Sequence, residues 1–191
     1  MTRIHKLAVA GAAALALAFG AIAPTPGHTE DKNPMVGGAA MYANKNIVQN
    51  AMNSKDHTTL VVAVKAAGLV ETLQGKGPFT VFAPTNAAFE KLPPGTVETL
   101  LKPENKDKLK KILTCHVVAA NAMSPAIMKM IKADGGEHPV KTVGGCTFTA
   151  KMNGDKIVIV DGKGNEATVT IANVKQSNGV IHVIDTVLLP G

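Results

Sequence analysis

Tryptophan is absent from this 191-residue chain, tyrosine occurs once and phenylalanine five times. With aromatic side chains so scarce, the stacking platforms that single-stranded nucleic acid needs are missing. Charge points the same way. The formal net charge is +6, and two of the basic residues, Arg3 and Lys6, sit in an amino-terminal leader; without them 18 basic residues face 14 acidic ones, a net of +4. An excess that small does not indicate nucleic acid. Chemistry-bearing motifs are missing too: the sequence has no Gly-x-Ser-x-Gly elbow, no phosphate-cradling Gly-rich loop and no His-Glu-x-x-His helix. Its carboxylates are scattered, and no catalytic residue, metal ligand set or cofactor is expected.

Cysteine is nearly absent as well. Cys115-His116 is the one thiol–imidazole neighbour pair, and such pairs are nucleophilic engines. Read as a strand over Cys115–Val118, however, neighbours point to opposite faces and do not meet. The other cysteine is Cys146. In an oxidising compartment the pair reads as a bridge that closes a loop of about 30 residues and contributes roughly 3–4 kcal/mol. Burial as small hydrophobes is the alternative.

The compartment is set by the start of the chain. Arg3, His5 and Lys6 precede an Ala/Leu-rich run from Leu7 to Ala23. That run is short for a membrane span and reads as a cleaved secretory signal over residues 1–23. Ala21-Ile22-Ala23 and Ala18-Phe19-Gly20 are both acceptable cleavage sequences, and an uncleaved anchor is the alternative. No cysteine lies near the run, which argues against a lipid anchor. Residues 24–43 read as a flexible arm, and residues 44–191 as a single domain without internal repeats.

Within that domain helices come first. Helices are predicted over Asn44–Met52 and Asp56–Ala67, the second capped by Asp56, with a further turn ending at Gly75. Thr96 is expected to cap Val97–Leu101, and Pro103 to open a lysine-rich helix carrying Lys102, Lys106, Lys108, Lys110 and Lys111. Leu109, Ile112 and Leu113 form that helix's core face. The lysines read as a solvated face, or alternatively as a weak contact for an anionic lipid or polysaccharide. Ser124-Pro125 starts the last helix. Strands follow at Val140–Val143, Cys146–Met152, Lys156–Val160 and Ala167–Ile171, separated by Gly and Asn/Asp-Gly turns. Helices followed by strands imply an α+β class. Met123, Met128 and Met130 with His138 could offer soft ligands to copper, but their spacing suits core packing better. Met35, Met41 and Tyr42 are undiagnostic.

Two segments carry the most information. Phe79-Thr80-Val81-Phe82-Ala83-Pro84-Thr85-Asn86, continuing to Phe89, reads as a buried strand stopped by Pro84 and followed by a helix capped at Thr85. Asn178-Gly179-Val180-Ile181-His182, continuing to Asp185, reads as a tight hairpin. Val169, Ile171 and Val174 form one arm, and Val180 to Ile184 the other. Thr186–Leu189 is expected to extend the sheet edge. Val180, His182 and Ile184 share a face, with His182 a hydrogen-bonded structural histidine rather than a ligand.

Together these stretches resemble the paired signatures of the fasciclin domain family, over roughly residues 44–190, and most of all the stand-alone single-domain proteins that bacteria export. The resemblance implies a twisted β-sandwich or wedge packed against several short helices. It also implies an exported, non-enzymatic module for cell adhesion or protein–protein interaction, secreted or periplasmic, monomeric or weakly self-associating, with an unidentified protein or cell-surface partner. The alternative is a periplasmic module that binds a small ligand or soft metal between helices and sheet. Animal members place receptor-binding Tyr-His and Asp-Ile pairs where this chain has Cys115-His116 and Asn173-Val174. The lost phenol and carboxylate weigh against integrin-type recognition. His116 then reads as a core-organising histidine, with direct partner contact the alternative.

Overall fold

A computed structural model describes residues 33–191. The signal expected over 1–23 and the first part of the arm lie outside the described residues. The rest of the arm is packed structure. Strands β1 (Met35–Val36) and β2 (Ala39–Ala40) pair as a short hairpin, and Val36 and Met41 enter the core. Burial of these two apolar side chains, with the Met41 N–H donating to the Pro34 carbonyl at 2.9 Å, ties this end of the arm to the domain.

Helix α1 (Ile47–Ala51) opens on a reciprocal capping box between Asn46 and Gln49. Helix α2 runs over Thr58–Ala66 behind a 3-10 turn at Lys55–His57, so Asp56 falls inside that turn and caps nothing. Helix α3 (Val70–Gln74) leads into strand β3 (Phe79–Pro84) and helix α4 (Asn86–Glu90). Helix α5 covers Thr96–Leu100; its entry is Gly95 in the left-handed conformation, and Thr96 is the first helical residue rather than the cap. After a 3-10 turn at Pro103–Asn105, helix α6 runs from Lys106 to Cys115 with Leu109, Ile112 and Leu113 buried as expected. Cys115 therefore ends a helix and does not start a strand. The strand that follows, β4, is only Val117–Val118.

Helix α7 (Ser124–Ala133) precedes a run of strands: β5 (Glu137–Lys141), β6 (Thr147–Asn153), β7 (Lys156–Val160), β8 (Glu166–Gln176) and β9 (Gly179–Ile184). Among the described residues no helix is long and apolar enough to cross a membrane.

Seven of these strands form one sheet in the order β4-β3-β9-β8-β7-β6-β5. Its neighbours are antiparallel except β3 and β9, which run parallel in register from Phe79–Gly179 to Pro84–Ile184. Strand β9 is thus an inner strand, flanked by β3 and β8. The edge expected from Thr186–Leu189 does not form, because that segment leaves the sheet. Alternate residues of the parallel pair enter two different cores. Val81, Ala83, Ile181 and Val183 pack under the helices α1–α6. Phe82 and Ile184 pack on the other side with α7, β6 and β7. Burial on both faces explains why these strands read as continuous apolar runs. The result is the α+β class, a curled, wedge-like sheet with short helices.

The Cys115 and Cys146 sulfurs are bonded, with Cα atoms 5.5 Å apart. The bridge ties the end of α6 to the loop entering β6. Beside it the Gly144 N–H donates to the Thr114 carbonyl at 3.0 Å. A Cβ at Gly144 would stand 2.7 Å from the Cys115 backbone nitrogen, so only glycine allows this approach. Replacing both cysteines by serine removes a cross-link spanning 31 residues and is expected to cost about 3–4 kcal/mol. Urea unfolding of the double variant against the parent measures this; a difference under about 0.5 kcal/mol would show that the bridge adds no stability.

Candidate functional site

The two signature segments lie side by side as β3 and β9, and their polar side chains hold neighbouring elements in place. Thr85 caps α4, its hydroxyl accepting from the Ala88 N–H at 3.2 Å. Asn86 reaches sideways. Its Oδ1 accepts from the Thr59 N–H at 3.0 Å and the Thr58 hydroxyl at 3.2 Å, and its Nδ2 donates to the Lys55 carbonyl at 2.9 Å. Asn86 is therefore the N-terminal cap of α2, supplied from 27 residues downstream.

Asn178 does comparable work at the other end of the pair. Its Oδ1 accepts from the Ile47 N–H at 3.1 Å, while Nδ2 donates to the carbonyls of Leu73 at 2.8 Å and Gly75 at 3.0 Å. Gln176 pairs with Gly179, so the hairpin loop is Ser177-Asn178, one residue earlier than the sequence predicts. Gly179 begins the strand. A Cβ there would stand 2.0 Å from the Phe79 carbonyl oxygen, so the glycine is required by the close approach of β3.

Three histidines are buried, each on neutral-imidazole terms. His182 Nε2–H donates to the Ala122 carbonyl at 2.8 Å and Nδ1 accepts from the Asn173 N–H at 3.3 Å. Its ring stacks with Phe82, centroids 5.8 Å apart. His182 is thus buried with both ring nitrogens hydrogen-bonded to the backbone. His116 uses the opposite tautomer: Nδ1–H donates to the Ile112 carbonyl and Nε2 accepts from the Leu188 N–H, each at 2.9 Å. Burial pushes the His116 pKa down to about 4, against the smaller opposing effects of the Ile112 carbonyl and the Asp161 carboxylate. Burial also lowers His182, opposed by the Ala122 carbonyl, and His57, whose Nδ1 meets the Ser54 hydroxyl at 2.8 Å.

The candidate interaction residues face inward or serve the backbone. His116 is 2% exposed and Val174 0%, so neither presents a surface to a partner. Asn173 sits in a β8 bulge with a left-handed φ of 62°. Its Oδ1 accepts from the Ser124 N–H at 2.7 Å and its Nδ2 donates to the Ser124 hydroxyl at 2.6 Å. It thereby caps α7, whose preceding residue Met123 cannot. The Cys115 thiol is bonded to Cys146. Met130 and His138 line one cleft, and Met128 packs on the second core. Among the described residues no cluster of three His, Cys, Asp or Glu could hold a metal.

Two gripping residues were not read from sequence. Asp161 accepts from the Lys163, Asn165 and Leu189 N–H groups at 2.9, 2.8 and 2.9 Å. With His116 it holds the Val187–Leu189 segment that would otherwise have prolonged the sheet. Asp161-Gly162 signals a turn, but nothing local signals the bond to Leu189. His57, beside Ser54 at helix spacing, gave no signal either.

A family model described as the fasciclin domain matches residues 55–190. "Protein sll1483" of Synechocystis sp. is 47% identical over 175 residues, spanning 92% of this chain and 90% of that protein. "Cell surface glycolipoprotein MPB83" of Mycobacterium bovis is 35% identical over 159 residues, 81% of this chain and 64% of that one. A solved domain pair from the insect cell adhesion molecule fasciclin I superposes with a TM-score of 0.53 at 25% identity, over 68% of this chain and 43% of that one.

Two outcomes are expected. Asn178→Ala removes three backbone ties and is expected to destabilise the protein by about 3 kcal/mol, read as a lowered urea midpoint at unchanged m-value; a loss below about 1 kcal/mol would mean the ties are dispensable. The depressed histidines set the second. A folded pKa below the unfolded one means the unfolded chain binds more protons in between, so stability is complete above about pH 6.5 and falls as pH drops toward about 4. His116 alone accounts for a loss of about 3 kcal/mol across that window. Urea midpoints from pH 7 to 4 in the parent and in His116→Gln test this: the variant should show a shallower decline, and parallel curves would refute the assignment.

Proposed function

The chain belongs to the fasciclin domain family, and from that premise we propose that it is an exported, non-enzymatic module that mediates adhesion or protein–protein contact at the cell envelope or outside it. The observation that carries this reading is the commitment of the signature polar groups: Thr85, Asn86, Asn178 and His182 are all engaged with the chain's own backbone. A site that acts on substrate keeps polar groups free to meet it. Here the recognisable residues build a scaffold, and recognition is left to the outer surface.

The similar mycobacterial protein, named for the cell surface, and the insect adhesion molecule support the same role and a secreted or periplasmic location. The exposed lysines of α6 are one surface on which contact is read, because Lys106, Lys108 and Lys110 are in none of the ion pairs among the described residues. Their attraction to an anionic surface is long-ranged only at low salt.

The test uses the exported protein coupled to beads, with charge-matched beads of an unrelated exported protein as control. Saturable, salt-resistant capture of producing cells or matrix surfaces is expected, reduced when Lys106, Lys108 and Lys110 are changed to Gln. Capture no better than the control sinks the adhesion reading.

A further inference from the structure

A cleft floored by β3 opens where the two outer strands of the sheet come together. The sheet ends at β4 on one side and β5 on the other, and these two strands do not pair. Just past β5, the Val143 N–H donates to the Val117 carbonyl of β4 at 2.7 Å. Beside that junction lies a cavity of about 210 Å³, lined by Phe82, Val118, Ala122, Ile127, Met130 and Val140.

The floor offers water little. The Thr80 hydroxyl donates to the Ala120 carbonyl at 2.6 Å and accepts from the Ala122 N–H at 2.8 Å. The Ala122 carbonyl is in turn occupied by His182 Nε2–H at 2.8 Å. Polar groups already paired leave an apolar wall, and a small cavity with such walls favours an apolar occupant over water. An apolar cavity of about 150 Å³ takes up benzene, so this one suits an apolar body of about eight carbons.

The rim differs from the floor. His138 and Lys141 of β5 both border the cavity. Lys141 is exposed and belongs to none of the ion pairs among the described residues. His138 Nδ1 lies 2.6 Å from Asp134 Oδ2, and its Nε2 has no partner among the described residues. Glu137 is the one acidic group on β5. It is exposed and four residues from Lys141, about 13 Å along the strand. Pro139 in the middle of β5 disfavours pairing with an incoming peptide strand.

From an apolar cavity bordered by an unpaired lysine we propose that this cleft binds a medium-chain apolar carboxylate, its tail between α7 and the edge strands and its head group at Lys141. The inference stands apart from the adhesion reading, since neither needs the other.

The experiment is an amide-shift titration of the isotope-labelled exported protein with octanoate, octanol and acetate. Octanoate is expected to shift the amides of Val118, Ala122 and Val140 saturably. Octanol should bind about fivefold more weakly, the worth of one solvent-facing charge contact, and acetate should not bind. Ala122→Phe fills the cavity and should abolish the octanoate shifts. Lys141→Glu, a surface change, should weaken octanoate about fivefold or more and leave octanol unchanged; it carries the test if Ala122→Phe fails to fold. Absence of saturable shifts in the low-millimolar range overturns the proposal. So do shifts centred elsewhere in the protein, or octanoate binding that Lys141→Glu leaves unaltered.

Discussion

Everything in this domain is arranged around a parallel strand pair buried on both faces. Strands β3 and β9 sit between two apolar cores, one under the helices α1–α6 and one under α7. Solvent reaches neither face, so each polar group on or beside the pair needs a partner within the protein. Thr80, Asn86, Asn178 and His182 meet that need by bonding to the backbone of other elements. In doing so they fix where α1, α2, α3 and the 120–122 loop sit. Requirements of burial and of architecture are thus met by the same few side chains.

That economy explains what could be read from the sequence and what could not. Phe79–Pro84 was legible because an apolar β-branched and aromatic run meets a proline, and the Thr85 cap because it is local. The core face of α6 followed from helical spacing. Asp56 was misjudged because a cap can come from anywhere in the chain, and Asn86 supplies it from another helix. Thr186–Leu189 has strand-like composition, yet His116 and Asp161 take its N–H groups and draw it off the sheet. Cys115 read as the start of a strand because the apolar residues after it are β-branched, whereas α6 continues through it. Of the residues named for recognition, His116 reads as a core residue from the sequence itself, whereas the full burial of Val174 does not. Burial is a property of the whole fold.

The histidines illustrate a second division, between groups that hold the structure and groups that face outward. His116 and His182 use opposite tautomers, each donating to one backbone carbonyl and accepting one backbone N–H. A side chain engaged at both ring nitrogens has no remaining polar atom for a partner. Polar groups free to meet another molecule are found instead on the exposed side of α6 and at the seam between β4 and β5.

The parallel pairing also bears on how the chain comes to be folded. Phe79 is matched to Gly179, one hundred residues later, and β3 has no partner on that side until the final strand is available. Contacts so distant in sequence form slowly, after the loop between them has closed. The β3–β9 pairing cannot form until residues 179–184 have been made. The pairing that both cores share is therefore among the last long-range contacts that synthesis makes available.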